Sequence, residues 1–528
     1  MRRSHVFLIL GFVLVAFLGY WLAGTAAPRQ AAQENLPKAT VEPKRTLIAE
    51  TAPVFKRGDR GPALRGDPDA SKAGALSGQR ILVFKDKSAL EDFLKRMGNG
   101  VRILGRLDAL NALQVGFLNY DDLASLLGTD EEESFVFPVD VPTNSDGKAQ
   151  AGATELGAGL LEWLGITGDN STWGTGVRIA ILDTGVLANP AFRSSISSID
   201  LLGLGGQDTS NGHGTAVASM IIGQSSLTPG VAPGAEIVSI RIANDLGQSD
   251  SFLLAKGIIA AADAKVPLIN ISMGSFGDSV LVRSAIEYAR AAGSLIIAAS
   301  GNNGTNQVTY PAANPGVIAV GAVDATGNHL DFSNTGSQLS VSAPGFGINA
   351  AWLADQAASV SGTSFSSPII TGAIAAVMSQ PGAKKLTAAQ AANLLFSYLN
   401  DAGQAGPDSR YGAGMPDIGR VLNANTRGIY DAAVASQRIV NGQIEVLVQN
   451  RGTETLVNTA VDVSTPAGTI SANITSLSPN AVQTIRVPIA QQNSTTLRYD
   501  SRVRLSGGVK DSKPSNNRRV DQYVPAGN

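Results

Sequence analysis

Residues 177–185 read Val-Arg-Ile-Ala-Ile-Leu-Asp-Thr-Gly. The apolar residues run nearly unbroken rather than on alternate positions, and a carboxylate and a glycine turn follow. A strand buried on both faces of a parallel sheet reads this way. The same texture returns at 236–243 (EIVSIRIA), 267–274 (PLINISMG), 294–300 (SLIIAAS) and 317–323 (VIAVGAV). Helical stretches lie between them, among them 251–265 (SFLLAKGIIAAADAK) and 280–293 (VLVRSAIEYARAAG). The alternation predicts an α/β domain with a doubly wound parallel sheet over residues 155–425.

Outward from that core the texture changes on both sides. Residues 79–140 show strand, helix, two strands, helix, strand: 80–84, 88–98, 101–117, 120–128 and 134–140. The order βαββαβ predicts a small ferredoxin-like α+β unit. Residues 141–154 are small and polar, a connector open to cutting. Residues 430–526 hold short β-rich runs divided by Gly, Pro, Asn and Ser, which predicts a β-sandwich of about seven strands. Residues 28–78 lack a sustained apolar period and read as a disordered linker. Residues 1–27 begin Met-Arg-Arg, continue apolar from Val6 to Gly24, and end Thr-Ala-Ala. This is an export leader, read either as a cleaved signal or as a membrane anchor through 6–24.

Composition narrows the chemistry. The chain has no cysteine, so disulfides, thiolate metal sites and a cysteine nucleophile are excluded. Its 41 basic and 43 acidic side chains give a formal charge of −2, without the basic excess of a nucleic-acid binder. The histidines are His5, His213 and His329, too few for a multi-histidine zinc site. His5 lies in the leader. A role as imidazole base therefore falls to His213 or His329.

Three segments carry the chemistry. Ala180-Ile181-Leu182-Asp183-Thr184-Gly185 ends a buried strand on a carboxylate. Asn211-Gly212-His213-Gly214-Thr215 sets a histidine before an apolar helix. Ser361-Gly362-Thr363-Ser364-Phe365-Ser366-Ser367-Pro368 opens another long apolar helix on a serine. A serine hydroxyl is a weak nucleophile and needs a base. Histidine supplies one, and a carboxylate fixes its tautomer. Helix N-termini and the carboxyl ends of parallel strands favour developing negative charge and collect such sites. Taken singly, the segments also read as a strand-end turn, a loop and a helix cap. In this order and together they favour the catalytic reading.

With these motifs the segment 155–425 resembles the subtilisin-like serine peptidases, the subtilase family, whose Asp, His and Ser follow one another in this chain order. AILDTGV, NGHGTAVAS and SGTSFSSP carry the likeness, and GVAPGAEI, INISMG, AASGNNG, FSNTG, SAPG and YGAGMPDI agree with it. The resemblance implies a serine endopeptidase acting through an acyl-enzyme on polypeptide substrates. Asp183 would orient the base, His213 would be general base and then acid, and Ser364 the nucleophile. Asn302 and the Ser364 N–H would form the oxyanion hole, and Ser272, Met273 and Gly274 the substrate-binding strand. Activity would fall in acid as His213 gains a proton. Asn303 is expected on the turn beside Asn302. His329 is expected as an exposed loop histidine, and Asp208 and Asp331 as loop carboxylates.

The resemblance also implies that 79–140 is an inhibitory propeptide, the chain's own partner, processed near 141–155. A membrane-tethered processing peptidase and a non-catalytic surface-binding protein are the alternatives. No metal or cofactor is required. Calcium is in question, because the stretch 223–230 (GQSSLTPG), where the family usually carries its strong calcium loop, is short and lacks Asp and Asn. Ala216 stands where histidine is often found, and Ser366 and Ser367 where alanines are commoner. The sandwich at 430–526 resembles Ig-like modules of bacterial surface and secreted proteins, with Asp511, Asn516 and Asn517 as turn residues and a surface ligand left open.

Overall fold

The computed structural model describes residues 70, 73–141, 152–203, 211–353, 355–380, 385–489 and 496–523. All of them belong to one compact unit, Ile48–Asn528. The leader, most of the linker, and Asp208 lie outside the described residues.

Strands β1 (Gln79–Phe84), β2 (Val101–Leu107), β3 (Ala112–Phe117) and β4 (Glu131–Phe135) form an antiparallel sheet of order β2-β3-β1-β4. Helices α1 (Lys87–Arg96) and α2 (Tyr120–Ala124) complete the βαββαβ order. Asp86 caps α1 by accepting from the Ala89 N–H. Phe84, Leu90, Phe93, Leu113, Val115 and Leu123 share its small core. The end of the segment read as linker is ordered: the Leu76 N–H donates to Val136 O at 2.8 Å.

The strand expected at 134–140 divides in two. Pairing with β1 ends at Phe135, and β5 (Pro138–Asp140) leaves the sheet. Pro138 has no N–H to continue a ladder. β5 instead pairs antiparallel with β9 (Gln248–Asp250).

The central sheet has seven parallel strands: β6 (Arg178–Asp183), β7 (Ile196–Asp200), β8 (Glu236–Arg241), β10 (Leu268–Ile271), β11 (Leu295–Ala299), β12 (Val317–Val323) and β13 (Leu339–Pro344). Their order is β13-β12-β11-β10-β6-β8-β7. Alternate residues serve opposite faces. Ile179, Ile181, Leu268 and Ile297 pack with helices α4 (His213–Ile222), α7 (Thr363–Met378) and α8 (Ala388–Phe396), which follow the short α3 (Leu160–Trp163) in that layer. Ala180, Leu182, Ile269 and Ile296 pack with α5 (Ser251–Asp263) and α6 (Val280–Ala291). Each such aliphatic side chain contributes about 1.5–3 kcal/mol by leaving water, which explains the unbroken apolar runs. The two strands that the apolar texture does not reveal, β7 and β13, are the sheet's edges. β7 reads Ile-Ser-Ser-Ile-Asp and stays half exposed. A hairpin of β14 (Ile348–Ala351) and β15 (Ala357–Val360) leads into α7.

After α9 (Ile418–Leu422) come β16 (Ala432–Val440), β17 (Gln443–Asn450), β18 (Leu456–Thr465), β19 (Gly468–Leu477), β20 (Val482–Pro488), β21 (Leu497–Arg504) and β22 (Arg518–Tyr523). They form two antiparallel sheets, β16-β17-β20 and β19-β18-β21-β22. Ile444, Val446 and Val487 of one meet Val461, Ile474 and Val503 of the other in a shared core, as in a β-sandwich. Asp511 lies in a turn and fastens β16 by accepting from the Ala432 N–H at 2.9 Å, and Asn516 donates to Asp431 at 2.9 Å. Among the described residues no helix is long and apolar enough to cross a membrane.

Candidate active site

The chemistry-bearing residues stand where strands end and helices begin. Asp183 closes β6, His213 opens α4, and Ser364 lies in the first turn of α7. Ser272 follows β10, and Asn302 lies just beyond β11. The carboxyl edge of the parallel sheet thus gathers them.

Asp183 is fully buried, and its Oδ1 and Oδ2 lie 2.9 and 3.0 Å from His213 Nδ1. Its Oδ1 also accepts from the Thr184 N–H at 2.8 Å. A carboxylate only accepts, so Nδ1 carries the imidazole proton and Nε2 keeps a lone pair. That Nε2 is buried and has no partner. The glycine after the histidine is dictated by contact: a Cβ on Gly214 would stand 2.2 Å from the Gly185 carbonyl oxygen. The Asp183 turn and the histidine helix therefore press backbone to backbone.

Ser364 is buried at the start of α7, and its Oγ donates to the Ser272 carbonyl at 3.0 Å. The His213 ring lies 5.3 Å, centroid to centroid, from the Phe365 ring next in sequence to the serine. Asn302 Oδ1 accepts from the Thr363 N–H (2.9 Å) and from Thr363 Oγ1 (2.8 Å). Both bonds fix the amide so that Nδ2 points elsewhere, and Nδ2 is buried without a partner. One unshared base nitrogen and one unshared amide donor are thus held by contacts with the two neighbours of Ser364. Such a set can take a proton from a hydroxyl and stabilise an oxyanion.

Ser272 and Met273 are fully buried, and Gly274 is engaged along the edge. The Gly274 N–H donates to Asp140 O (3.1 Å), and the Asp140 N–H donates to Gly274 O (3.2 Å). An extended segment therefore already lies on this strand. Asn303 sits on the turn, its N–H donating to Asn334 Oδ1 at 2.9 Å.

The sequence reading passes over Thr363 and Asn334. Asn334 is fully buried and secures the 301–305 turn by donating its N–H to Gly301 O and accepting from Asn303 and Thr305. The signal is Phe-Ser-Asn-Thr-Gly, which agrees with the family likeness but gives Asn334 no role by itself.

His329 is a correction. It lies in a loop as expected but is buried, 7% exposed, edge-on to the Tyr411 ring, and neither ring nitrogen has a partner. Loss of water, aided by the Arg410 charge, pulls its pKa down to about 4. It lines a cleft of about 600 Å³ with Tyr411, Gln437 and Tyr499, which contains none of the residues above. The Tyr411 ring packs on the imidazole and the Tyr411 hydroxyl accepts from the His329 N–H, tertiary contacts that local polarity does not announce. Asp331 is exposed in a turn. Residues 223–230 close on themselves through a Gln224–Pro229 bridge. Among the described residues no three acidic or histidine side chains gather to hold a metal.

Residues 174–414 match the subtilase family of peptidases. A thermostable alkaline protease of Halalkalibacterium halodurans is 34% identical over 251 residues, 47% of this chain and 68% of that one. Subtilisin DY of Bacillus licheniformis is 32% identical over 252 residues, 46% of this chain and 90% of that one. The chain belongs to the subtilase family. Among solved structures, the patellamide maturation protease PatA is 33% identical, with a TM-score of 0.42 over 48% of this chain and 97% of that one. As a subtilase, the protein is a serine-type endopeptidase whose substrates are polypeptides.

Proposed function

We propose that this subtilase is an exported endopeptidase made as a zymogen, with Ser364 as its nucleophile. Ser364 Oγ attacks the scissile carbonyl while His213 Nε2 takes its proton. Asp183 holds the ring and stabilises the imidazolium. The Asn302 amide and the Ser364 N–H, an orphan donor of the first turn of α7, receive the oxyanion. His213 then protonates the leaving amine, and water releases the acyl group by the reverse sequence. The observation that carries the reading is the pair of unshared groups, His213 Nε2 and Asn302 Nδ2, held beside Ser364.

Latency rests on the N-terminal unit. Its tail adds a strand to the edge that would bind substrate, with β5 on β9 and Asp140 on Gly274, and the Val141 N–H donates to Gly247 O at 2.8 Å. Strand addition draws affinity from main chain and tolerates varied side chains. The described tail runs along this edge as far as Val141, where the connector begins. That supports processing within 141–154. Export rests on the arginine-led apolar leader alone.

The test is intact-mass spectrometry of residues 28–528 after a fluorophosphonate, beside Ser364→Ala. The expected result is a shortened chain with one adduct, and an unlabelled full-length variant. A wild-type chain that stays unlabelled even after its 141–154 connector is cut by another protease would overturn the assignment.

A further inference from the structure

Asn270 is a polar residue inside the apolar strand β10, and it is fully buried. Its Nδ2 donates to Ser272 Oγ at 2.9 Å. Its Oδ1 accepts from Ser367 Oγ at 2.9 Å and from Thr371 Oγ1 at 3.0 Å, two residues on successive turns of α7. Ser272 Oγ in turn donates to the Ser364 carbonyl at 2.7 Å. That carbonyl needs a donor from outside its own helix. The residue four places on is Pro368, which has no N–H to give.

Ser272 therefore grips the nucleophile residue at both ends. Its hydroxyl holds the Ser364 carbonyl, and its own carbonyl holds the Ser364 hydroxyl. At rest the hydroxyl is on Ser272 O, and His213 Nε2 is unshared. Attack then needs the Ser364 hydroxyl to turn from Ser272 O toward His213 Nε2, about a backbone that must not move. The bonds that fix this backbone converge on one amide. A carboxamide is suited to the position, because it donates to Ser272 and accepts from the helix at the same time.

We propose that Asn270 is a positioning residue for the hydrolytic reaction: clamped by Ser367 and Thr371, it fixes Ser272 and through it the resting place and turning axis of the Ser364 hydroxyl. The inference rests on the reading of Ser364 as nucleophile. Asn270 touches neither substrate nor the reacting atoms.

The experiment uses the processed full chain and three variants: Asn270→Leu, of similar shape without hydrogen bonds, Thr371→Val, and the conservative Thr371→Ser. Two rates are read per folded molecule: labelling by a fluorophosphonate, and hydrolysis of a neutral tetrapeptide anilide. Asn270→Leu should lower labelling and kcat together by about 10- to 100-fold, the scale of a small misplacement of reacting groups. KM should stay within about twofold of wild type. Thr371→Val should show a smaller loss of the same kind, and Thr371→Ser should restore the wild-type rate. The pH profile of labelling should keep its midpoint, because the Asp183–His213 pair is untouched. Folded variants labelled at the wild-type rate, with only their melting temperature lowered, would overturn the proposal and leave Asn270 as packing. If Asn270→Leu does not fold, Thr371→Val decides by the same criterion. Wild-type labelling no faster than that of Ser364→Ala would instead sink the nucleophile assignment beneath it.

Discussion

The parallel sheet carries an antiparallel β unit at each end of the chain, and the two are attached by different physics. The N-terminal unit holds on through apolar packing and backbone bonds, with Ile81, Leu107, Val136 and Val139 in one core with α5 and α6. Asp140 and Gly274 exchange two bonds, Ser251 N–H donates to Phe137 O, and Val141 N–H donates to Gly247 O. The buried side-chain bond from Gln114 Nε2 to Asp250 Oδ2 is long, at 3.3 Å. Phe137 lies so close to Gly277 that a Cβ there would stand 2.0 Å from its ring. The C-terminal sandwich is held by buried polar side chains. Arg420, on α9, donates to Tyr398 O, Leu399 O and Asn400 Oδ1 on one side and to Arg451 O and Asn480 Oδ1 on the other. Burial pulls even this guanidinium down to about 10. Gln449 adds bonds to Asp401 N–H and Leu399 O.

The difference is one of replaceability. Main-chain bonds along a strand edge can be remade with another extended segment of almost any sequence. Five bonds focused on one buried arginine have no substitute, and removing it strands its acceptors. Under the proposed zymogen reading, the first attachment suits the unit that is released and the second the unit that stays.

The strongest way to break this contrast is Arg420→Met. It should destabilise the chain by about 4 kcal/mol, because several buried acceptors are stranded at about 1–3 kcal/mol each, read from urea unfolding. A loss under about 1 kcal/mol would mean that the sandwich is held elsewhere. Next is Val139→Asp, which sets a carboxylate into a position only 1% exposed. After the connector is cut, the N-terminal unit should stay bound about 100-fold less tightly, about 2.7 kcal/mol. Co-elution at wild-type dilution would refute the edge attachment.

His329→Phe sharpens the contrast through pH. The folded imidazole titrates near 4, below the ordinary 6.5, with Arg410 and Asp408 as its charged neighbours. Between those values the unfolded chain binds a proton that the folded chain refuses, so stability falls as pH drops from 6.5 toward 4. Asp401, raised to about 6 by burial, works in the opposite sense and is common to both proteins. The variant should match or exceed wild type at pH 7 and gain about 2 kcal/mol on it at pH 5. A difference that does not change with pH would count against the buried-histidine account. The smallest effect is Asp140→Pro, which deletes one N–H along the edge. It should weaken retention of the N-terminal unit about fivefold, or about 1 kcal/mol.

Residue texture in the sequence revealed those parts whose surroundings are uniform. Strands covered on both faces, such as β6 and β11, are legible because every position meets apolar neighbours. The glycine-flanked histidine and the serine before its helix are legible because close backbone contact and a helix start leave few residue choices. Edge strands β7 and β13 are not, since one side meets solvent or loop. Arg420 sits in Asp-Ile-Gly-Arg-Val-Leu and looks like a surface helix charge, and only the folded sandwich buries it. Asn270 was visible in principle, as a lone amide in an apolar strand, but its partners lie about a hundred residues away on α7.

The passage from β4 to β5 takes only Val136 and Phe137, so the tail on β9 and the last strand of its own sheet are mechanically in series. β4 is an edge strand, joined to β1 from Arg80–Phe135 through Phe84–Glu131. Tension applied at Val141 reaches the Phe135 end first and loads those rungs one at a time, as in unzipping rather than shearing. A force that lifts the tail from Gly274 and β9 therefore also peels the unit that carries it.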